Sequence, residues 1–129
     1  MFNKYGAYGA IHALLAVALG AFGAHGLKDR LTEEMLNVFE TGVRYHMFHA
    51  IGLLLIALAA DRIGKNDQRI RWAARLMHLG IFLFSGSLYA LSLSDVKWIG
   101  IITPFGGLAF IVAWGLAAYS IWKAKSSSD

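Results

Sequence analysis

The sequence predicts an all-α polytopic membrane protein, with four transmembrane helices in a compact bundle and a short amphipathic outer helix between the first two. The chain is 57% hydrophobic and only 16% charged, and its charges cluster between apolar stretches. Those stretches cover residues 5–24, 43–60, 73–93 and 98–122 of 129. A hydrocarbon core of about 30 Å needs about 20 apolar helical residues, which three stretches supply and the second approaches.

Composition also limits the classes of function. The chain has no cysteine, which excludes disulfides, zinc–thiolate sites, iron–sulfur clusters and thiol nucleophiles. A net charge of +4 would suit nucleic acid, but the basic residues lie beside the spans, where they meet lipid headgroups. We therefore expect a single domain, residues 1–129, with membrane lipids as partners and no nucleic acid.

The distribution of lysine and arginine predicts the orientation. One side carries both termini and the connection between spans two and three. Its eight basic residues are Lys4, Arg62, Lys65, Arg69, Arg71, Arg75, Lys123 and Lys125. The four on the other side are Lys28, Arg30, Arg44 and Lys97. Because the richer side is normally cytoplasmic, both termini are predicted to be cytoplasmic.

The connection between spans one and two has the pattern of a helix. Thr32 is a plausible N-cap, followed by Glu33 and Glu34 in the first turn, where acidic residues suit the helix dipole. Apolar residues recur at helical spacing behind it, at Leu31, Met35, Val38 and Phe39. This pattern predicts an amphipathic helix over about 32–42, lying on the outer surface and leading into span two.

The start of span four has two readings, since Pro104 is the only proline. Either the main helix begins at Thr103, with 98–102 as a separate outer segment, or one helix bends at Pro104. Thr103 as an N-cap slightly favours the first reading.

Two stripes of small residues predict helix contacts, because small side chains let backbones approach closely in lipid. The stripe of span one comprises Gly9, Ala13, Ala16, Gly20 and Ala24. The stripe of span four comprises Gly106, Ala109, Ala113 and Ala117. The two stripes could pack on each other or on a second copy, so a homo-oligomer is an open possibility.

Polar residues within the spans are the candidate functional positions. His78, Ser85, Tyr89 and Ser92 share one face of span three, which Arg71 and Arg75 extend toward the cytoplasm. They could form a path for protons or a solute, or simply hydrogen bond between helices at about 0.6 kcal/mol each, the interpretation we favour.

The remaining candidates are His25 near the end of span one and several residues in span two and in the segment that precedes it. His46 and His49 share a helical face, a pattern that can bind metal or haem, but no carboxylate lies beside them to complete a ligand set. Glu40 and Arg44 are spaced for an ion pair, either at the interface or buried at the mouth of the bundle. The sequence contains no catalytic grouping and predicts no metal and no cofactor.

Three sequence runs carry a resemblance to a known family: LGAFGAHGL at 19–27, FETGVRY at 39–45 and TPFGG at 103–107. The chain resembles the uncharacterised small bacterial inner-membrane proteins of the YgdD/YwdK type, the domain of unknown function four-two-three. The resemblance implies a four-span protein of the bacterial plasma membrane and brings no established activity, substrate or cofactor. The family motif maps onto His25, Glu40, Arg44, His49 and Pro104.

Three functions remain at this point. The first is a non-enzymatic structural or accessory membrane component, which needs only packing faces and interfacial anchors. The second is a small oligomeric permease or channel with a polar path along span three, to which His12, His25 and His49 would contribute. The third is a haem- or metal-binding membrane subunit.

Overall fold

The computed structural model of the protein describes residues 2–64 and 66–124, and it is helical apart from short connections. Lys65 and Lys125, which entered the charge comparison, lie outside the described residues. The α-helices are α1 (Phe2–Gly26), α2 (Glu33–Ile63), α3 (Gln68–Gly80), α4 (Ser87–Ser94) and α5 (Thr103–Lys123). A π-helical turn at Ile81–Gly86 joins α3 to α4, and a 3₁₀ helix at Lys97–Ile101 precedes α5.

Four helical units are long and apolar enough to cross a membrane. They are Phe2–Gly26, Glu33–Ile63, Gln68–Ser94 and Lys97–Lys123. The third unit combines α3, the π turn and α4, and the fourth combines the 3₁₀ helix with α5. The chain is therefore an all-α, four-span protein, as the sequence predicts.

The amphipathic segment predicted at 32–42 is helical, but it is not a separate helix. It forms the first turns of α2, which continues through Gly42 as one element of 31 residues. Thr32 is the N-cap, and its hydroxyl oxygen accepts a hydrogen bond from the Met35 N–H at 3.1 Å. Such a cap is worth about 1 kcal/mol because it satisfies one of the free N–H groups of the first turn. The structure thus replaces a surface helix with an extension of span two.

Span four begins with a change of helix type. The 3₁₀ helix ends at Ile101, and α5 begins at Thr103 with Pro104 in its first turn, where a missing N–H costs nothing. This arrangement matches the first of the two readings. Thr103 is not the N-cap, however: Ile102 occupies that position, and the Thr103 hydroxyl is hydrogen bonded to that of Ser87 at 2.6 Å.

α2 lies at the centre of the bundle and packs against α1, α3, α4 and α5. The main apolar core fills the space between α2, α3 and α5. Its members are Leu53, Ile56, Ala60, Ile70, Ala73, Ala74, Met77, Ile81, Phe110, Ala113 and Ala117. In contrast, α1 packs mainly on α2 and leaves a broad apolar surface uncovered, at Ile11, Leu14, Val17 and Phe22 among others.

The two stripes of small residues do not pack on each other, since α1 packs on α2 and α5 packs chiefly on α3. In the α5 stripe, all four predicted residues are buried. In the α1 stripe, Gly9 and Ala16 are buried and Ala13 and Gly20 are partly buried. Ala24 is exposed, so the prediction is wrong there.

The buried face of α1 is rotated relative to the predicted stripe. Its buried members are Gly6, Gly9, His12, Ala16 and Gly23. A histidine therefore stands in the middle of a face that is otherwise made of glycine and alanine.

The π turn is the one element without a sequence signal, and it lies where α5 comes closest to the third span. A Cβ atom on Gly106 would lie 2.7 Å from the Cα and the Cβ of Phe84 within the turn. Such turns insert one extra residue into a helix and often occur at functional sites. Here the turn separates His78 from Tyr89, so it sets the angular relation between these two polar side chains.

Candidate functional site

Four side chains from four different helices form a continuous hydrogen-bonded chain inside the bundle. His78 Nε2 on α3 lies 3.1 Å from His12 Nε2 on α1. The other ring nitrogen of His12, Nδ1, lies 2.9 Å from His46 Nε2 on α2. His46 Nδ1 in turn lies 2.9 Å from the Tyr89 hydroxyl oxygen on α4. We call this set, His78–His12–His46–Tyr89, the histidine chain.

Aromatic rings surround the histidine chain. At the His78 end, Tyr8 stacks on the imidazole with a centroid distance of 4.7 Å, and Tyr5 meets its edge at 6.2 Å. Phe82 covers His12 and His78 at 5.4 and 5.1 Å. These rings exclude competing polar groups from the histidine chain, and the apolar surroundings strengthen its hydrogen bonds.

Local packing explains why the members of the chain can meet. A Cβ on Gly9 would lie 2.8 Å from the Ala50 carbonyl oxygen, so α1 and α2 are in backbone contact one turn before His12. On the other side, Gly42 leaves room for the ring of Tyr89, which a Cβ would approach to 2.9 Å. Close approach on both faces of α2 thus brings His12 and Tyr89 within reach of His46.

His49 does not belong to the histidine chain. Its Nδ1–H donates to the Tyr45 carbonyl at 2.7 Å, and its ring stacks on Phe110 with a centroid distance of 3.6 Å. His46 points instead toward α1 and α4. His46 and His49 therefore do not form the shared ligand pair considered as an alternative, because the two rings face different helices.

The serines of the third span bind backbone carbonyls. The Ser85 hydroxyl donates to the Gly42 carbonyl at 2.8 Å, and the Ser92 hydroxyl donates to the carbonyl of Tyr89 at 3.0 Å. Ser85 therefore links α2 to the third span, while Ser92 binds its own helix. The polar route found in the structure leaves the third span at His78 and returns to it at Tyr89, through α1 and α2.

The other predicted positions lie apart from the chain. His25 is exposed in the last turn of α1. Glu40 and Arg44 are also exposed, and no ion pair joins them in the part of the chain that the structure describes. Both interpretations of that pair, interfacial and buried, are therefore wrong. The structure brings His78 and Tyr89 together with His12 and His46, a grouping that the sequence did not predict.

The donor geometry does not suit a metal ion. His12 offers one nitrogen to His46 and the other to His78, so the three rings converge on two separate points. Within residues 2–64 and 66–124, no three histidine, aspartate or glutamate side chains are grouped so that they could hold a metal ion. The arrangement is suited to hydrogen bonding, since a neutral imidazole carries one donor and one acceptor.

Sequence reasoning named His12 only for the permease hypothesis and missed its contacts to His46 and His78, because the hydrogen bonds of the histidine chain join residues 34 to 66 positions apart. A signal did exist. His12 lies three residues after Gly9 and four before Ala16, so it shares the small-residue face of span one. A histidine on a face built for backbone contact must find a polar partner on the neighbouring helix.

These features define a class: a four-span integral membrane protein with a buried, aromatic-walled histidine chain. Residues 19–107 match the family described as "Protein of unknown function (DUF423)". That segment covers well over half of the chain, and the chain belongs to this family.

Relatives support the same assignment. The chain is 53% identical to the UPF0382 membrane protein YwdK of Bacillus subtilis over 90 residues, 70% of this chain and 72% of YwdK. A UPF0382 membrane protein of Haemophilus influenzae is 44% identical over 102 residues, 79% and 80% of the two chains. One from Staphylococcus haemolyticus is 41% identical over 99 residues, 77% and 79% of the two chains. No solved structure matches. The relatives are named as membrane proteins, and the family carries no assigned activity.

Proposed function

We propose that the protein is a non-enzymatic accessory component of the bacterial plasma membrane, with both termini in the cytoplasm. The proposal rests on the hydrogen bonds made by the polar side chains inside the spans. Among the described residues, only the Ser120 hydroxyl is buried without a hydrogen-bond partner. The members of the histidine chain are hydrogen bonded to one another, and the Ser85 hydroxyl donates to a backbone carbonyl. They are held by the protein itself, whereas a substrate site needs polar groups directed into a cavity.

The cavity between α2 and α5 supports the same conclusion. It has a volume of about 320 Å³ and an apolar lining: Leu55, Ile56, Ala59, Trp114, Ala117, Ala118 and Ile121. Such a surface suits lipid chains and offers no polar group to orient a reacting molecule. A solute path along the third span is also disfavoured, because Ser85 and Ser92 both donate to backbone carbonyls.

The proposed orientation rests on charge and on aromatic anchors. Arg69 lies over the Tyr119 ring at 4.7 Å, and Arg75 lies over the Trp72 ring at 5.0 Å. Trp72 and Tyr119 are exposed, as expected for rings at the headgroup level. These pairs lie at the end of the bundle where lysine and arginine are most numerous, which is the end we assign to the cytoplasm.

Reporter fusions test the orientation. A reporter that fluoresces only in the cytoplasm should be active at the N-terminus and at the C-terminus. A phosphatase that is active only outside the cytoplasm should be active when inserted near Asp29, between α1 and α2, and inactive at both termini. If the fluorescent reporter is active at one terminus and the phosphatase at the other, both the four-span topology and the proposed orientation are contradicted.

A further inference from the structure

The histidine chain is suited to a task beyond holding helices together, and we propose that it transfers protons through the interior of the bundle. The reasoning starts from the distances. Three consecutive hydrogen bonds of 2.9 to 3.1 Å join His78 to Tyr89, so the rings touch and leave no space between them for an ion or a solute. A proton can pass along such a chain, because each imidazole can accept a proton at one nitrogen and release another.

Counting hydrogens shows that the chain has two states. Each neutral imidazole carries one N–H, and each of the three hydrogen bonds needs one hydrogen. In the first state His78 Nε2, His12 Nδ1 and His46 Nδ1 carry the hydrogens, and all bonds donate toward Tyr89. In the second state the Tyr89 hydroxyl, His46 Nε2 and His12 Nε2 donate, and all bonds run toward His78. With neutral rings, no other assignment satisfies all three bonds.

Passage of one proton converts the first state into the second. A proton arrives at His78 Nδ1, and the hydrogen on Nε2 moves to His12. The hydrogen on His12 Nδ1 moves to His46, the hydrogen on His46 Nδ1 moves to the Tyr89 oxygen, and the original hydroxyl proton leaves. One proton enters, one proton leaves, and no oxidant or other reactant is needed. Transfer of a proton in the opposite direction restores the first state. Repeated transfer in the same direction requires each imidazole to change tautomer, by gaining a proton at its free nitrogen and losing the one on the other nitrogen.

Both ends of the chain are available for this exchange. His78 Nδ1 and the outward side of the Tyr89 hydroxyl make no further hydrogen bond to the described residues. Both residues are only partly buried, whereas His12 and His46 between them are 6% and 4% exposed. The ends of the chain are therefore more accessible than its middle, as a relay requires.

The position of the chain in the bundle also fits. His78 and Tyr89 are eleven residues apart on the third span, so the chain covers about 16 Å along its axis. That is about half the thickness of a 30 Å hydrocarbon core, within which an unpaired charge is costly. Next to the His78 end lie Tyr8, Tyr5 and Lys4, the last 5.6 Å above the Tyr5 ring. These residues lie between the chain and the end that we assign to the cytoplasm.

Proton flux into liposomes tests the proposal. The full-length protein is reconstituted with a pH-sensitive dye inside the vesicles, and a potassium gradient with valinomycin supplies the driving voltage. We expect flux above that of protein-free vesicles. His12→Gln keeps a polar side chain but cannot pass a proton on, and Tyr89→Phe removes only the terminal hydroxyl. Each should lower the flux by about tenfold or more.

His49→Gln is the matched control, because His49 is equally buried but lies outside the chain. It should retain the flux of the unmodified protein. The proposal fails if the unmodified protein gives no more flux than empty vesicles, or if both chain variants keep their flux. It also fails if His49→Gln loses as much flux as they do. Gel filtration identifies any variant that does not fold, and the other chain variant then decides the result.

Discussion

Replacing Gly106 with alanine is expected to destabilise the protein more than the same change at either of the other glycines of α5, Gly107 and Gly115. A Cβ at this position would overlap the backbone of Phe84 in the π turn. Backbone atoms cannot rotate away as a side chain can, so α5 must move off the third span. Overpacking of this kind costs about 3 kcal/mol. The measurement is thermal unfolding in detergent.

Gly107→Ala provides the control for that experiment. A Cβ there would lie 3.8 Å from the Phe84 ring, an ordinary van der Waals contact, and alanine also favours a helix more than glycine does. Gly107→Ala should therefore melt at or above the temperature of the unmodified protein. Equal melting temperatures for Gly106→Ala and Gly107→Ala would show that the third span and α5 are farther apart than the structure indicates.

Replacing Gly9 with alanine should separate α1 from α2 and interrupt the histidine chain. The new Cβ would lie 2.8 Å from the Ala50 carbonyl oxygen and 2.9 Å from the Leu54 nitrogen, both backbone atoms. Because His12 lies one turn further along α1, the displacement lengthens its hydrogen bond to His46. We expect a loss of about 2 kcal/mol in stability and a fall in proton flux. Thermal unfolding and the liposome assay measure the two effects.

Gly6→Ala is the appropriate comparison, because it makes the same change one turn earlier in α1. Its new Cβ would meet the end of the Phe2 side chain at 3.3 Å, and that ring can move aside. Gly6→Ala should therefore keep both stability and flux. If Gly9→Ala behaves like Gly6→Ala, the close contact between α1 and α2 is not needed for either property.

The sequence was sufficient for the features that depend on local composition. Four apolar stretches determine the spans, Thr32 with its acidic neighbours begins α2, and Pro104 falls in the first turn of α5. Each of these features depends on residues that are close together in the sequence: apolar length for the spans, N-capping for α2 and the missing proline N–H for α5. The separate outer helix was not correct, because Gly42 is accommodated within α2 and the helix continues through it.

The candidate site depended on contacts that no local pattern specifies. His12 meets His46 and His78 only because α1 packs on α2 with a particular rotation. A rotation by one residue would have buried Ala24, as the small-residue stripe predicts, and turned His12 elsewhere. The π turn is a second unpredictable element. It adds a residue between His78 and Tyr89, so helical spacing alone does not define their shared face.

The continuity of α2 has a consequence for the membrane around the protein. At about 1.5 Å per residue, its 31 residues measure about 46 Å, well beyond a hydrocarbon thickness of about 30 Å. The apolar part of α2, residues 43–60, measures only about 27 Å, so its acidic first turns stand in the headgroup layer. A thicker bilayer would bring Glu40 and Arg44 into hydrocarbon, where ionised side chains are costly. Lengthening the lipid chains should therefore strain the protein first at this end of α2.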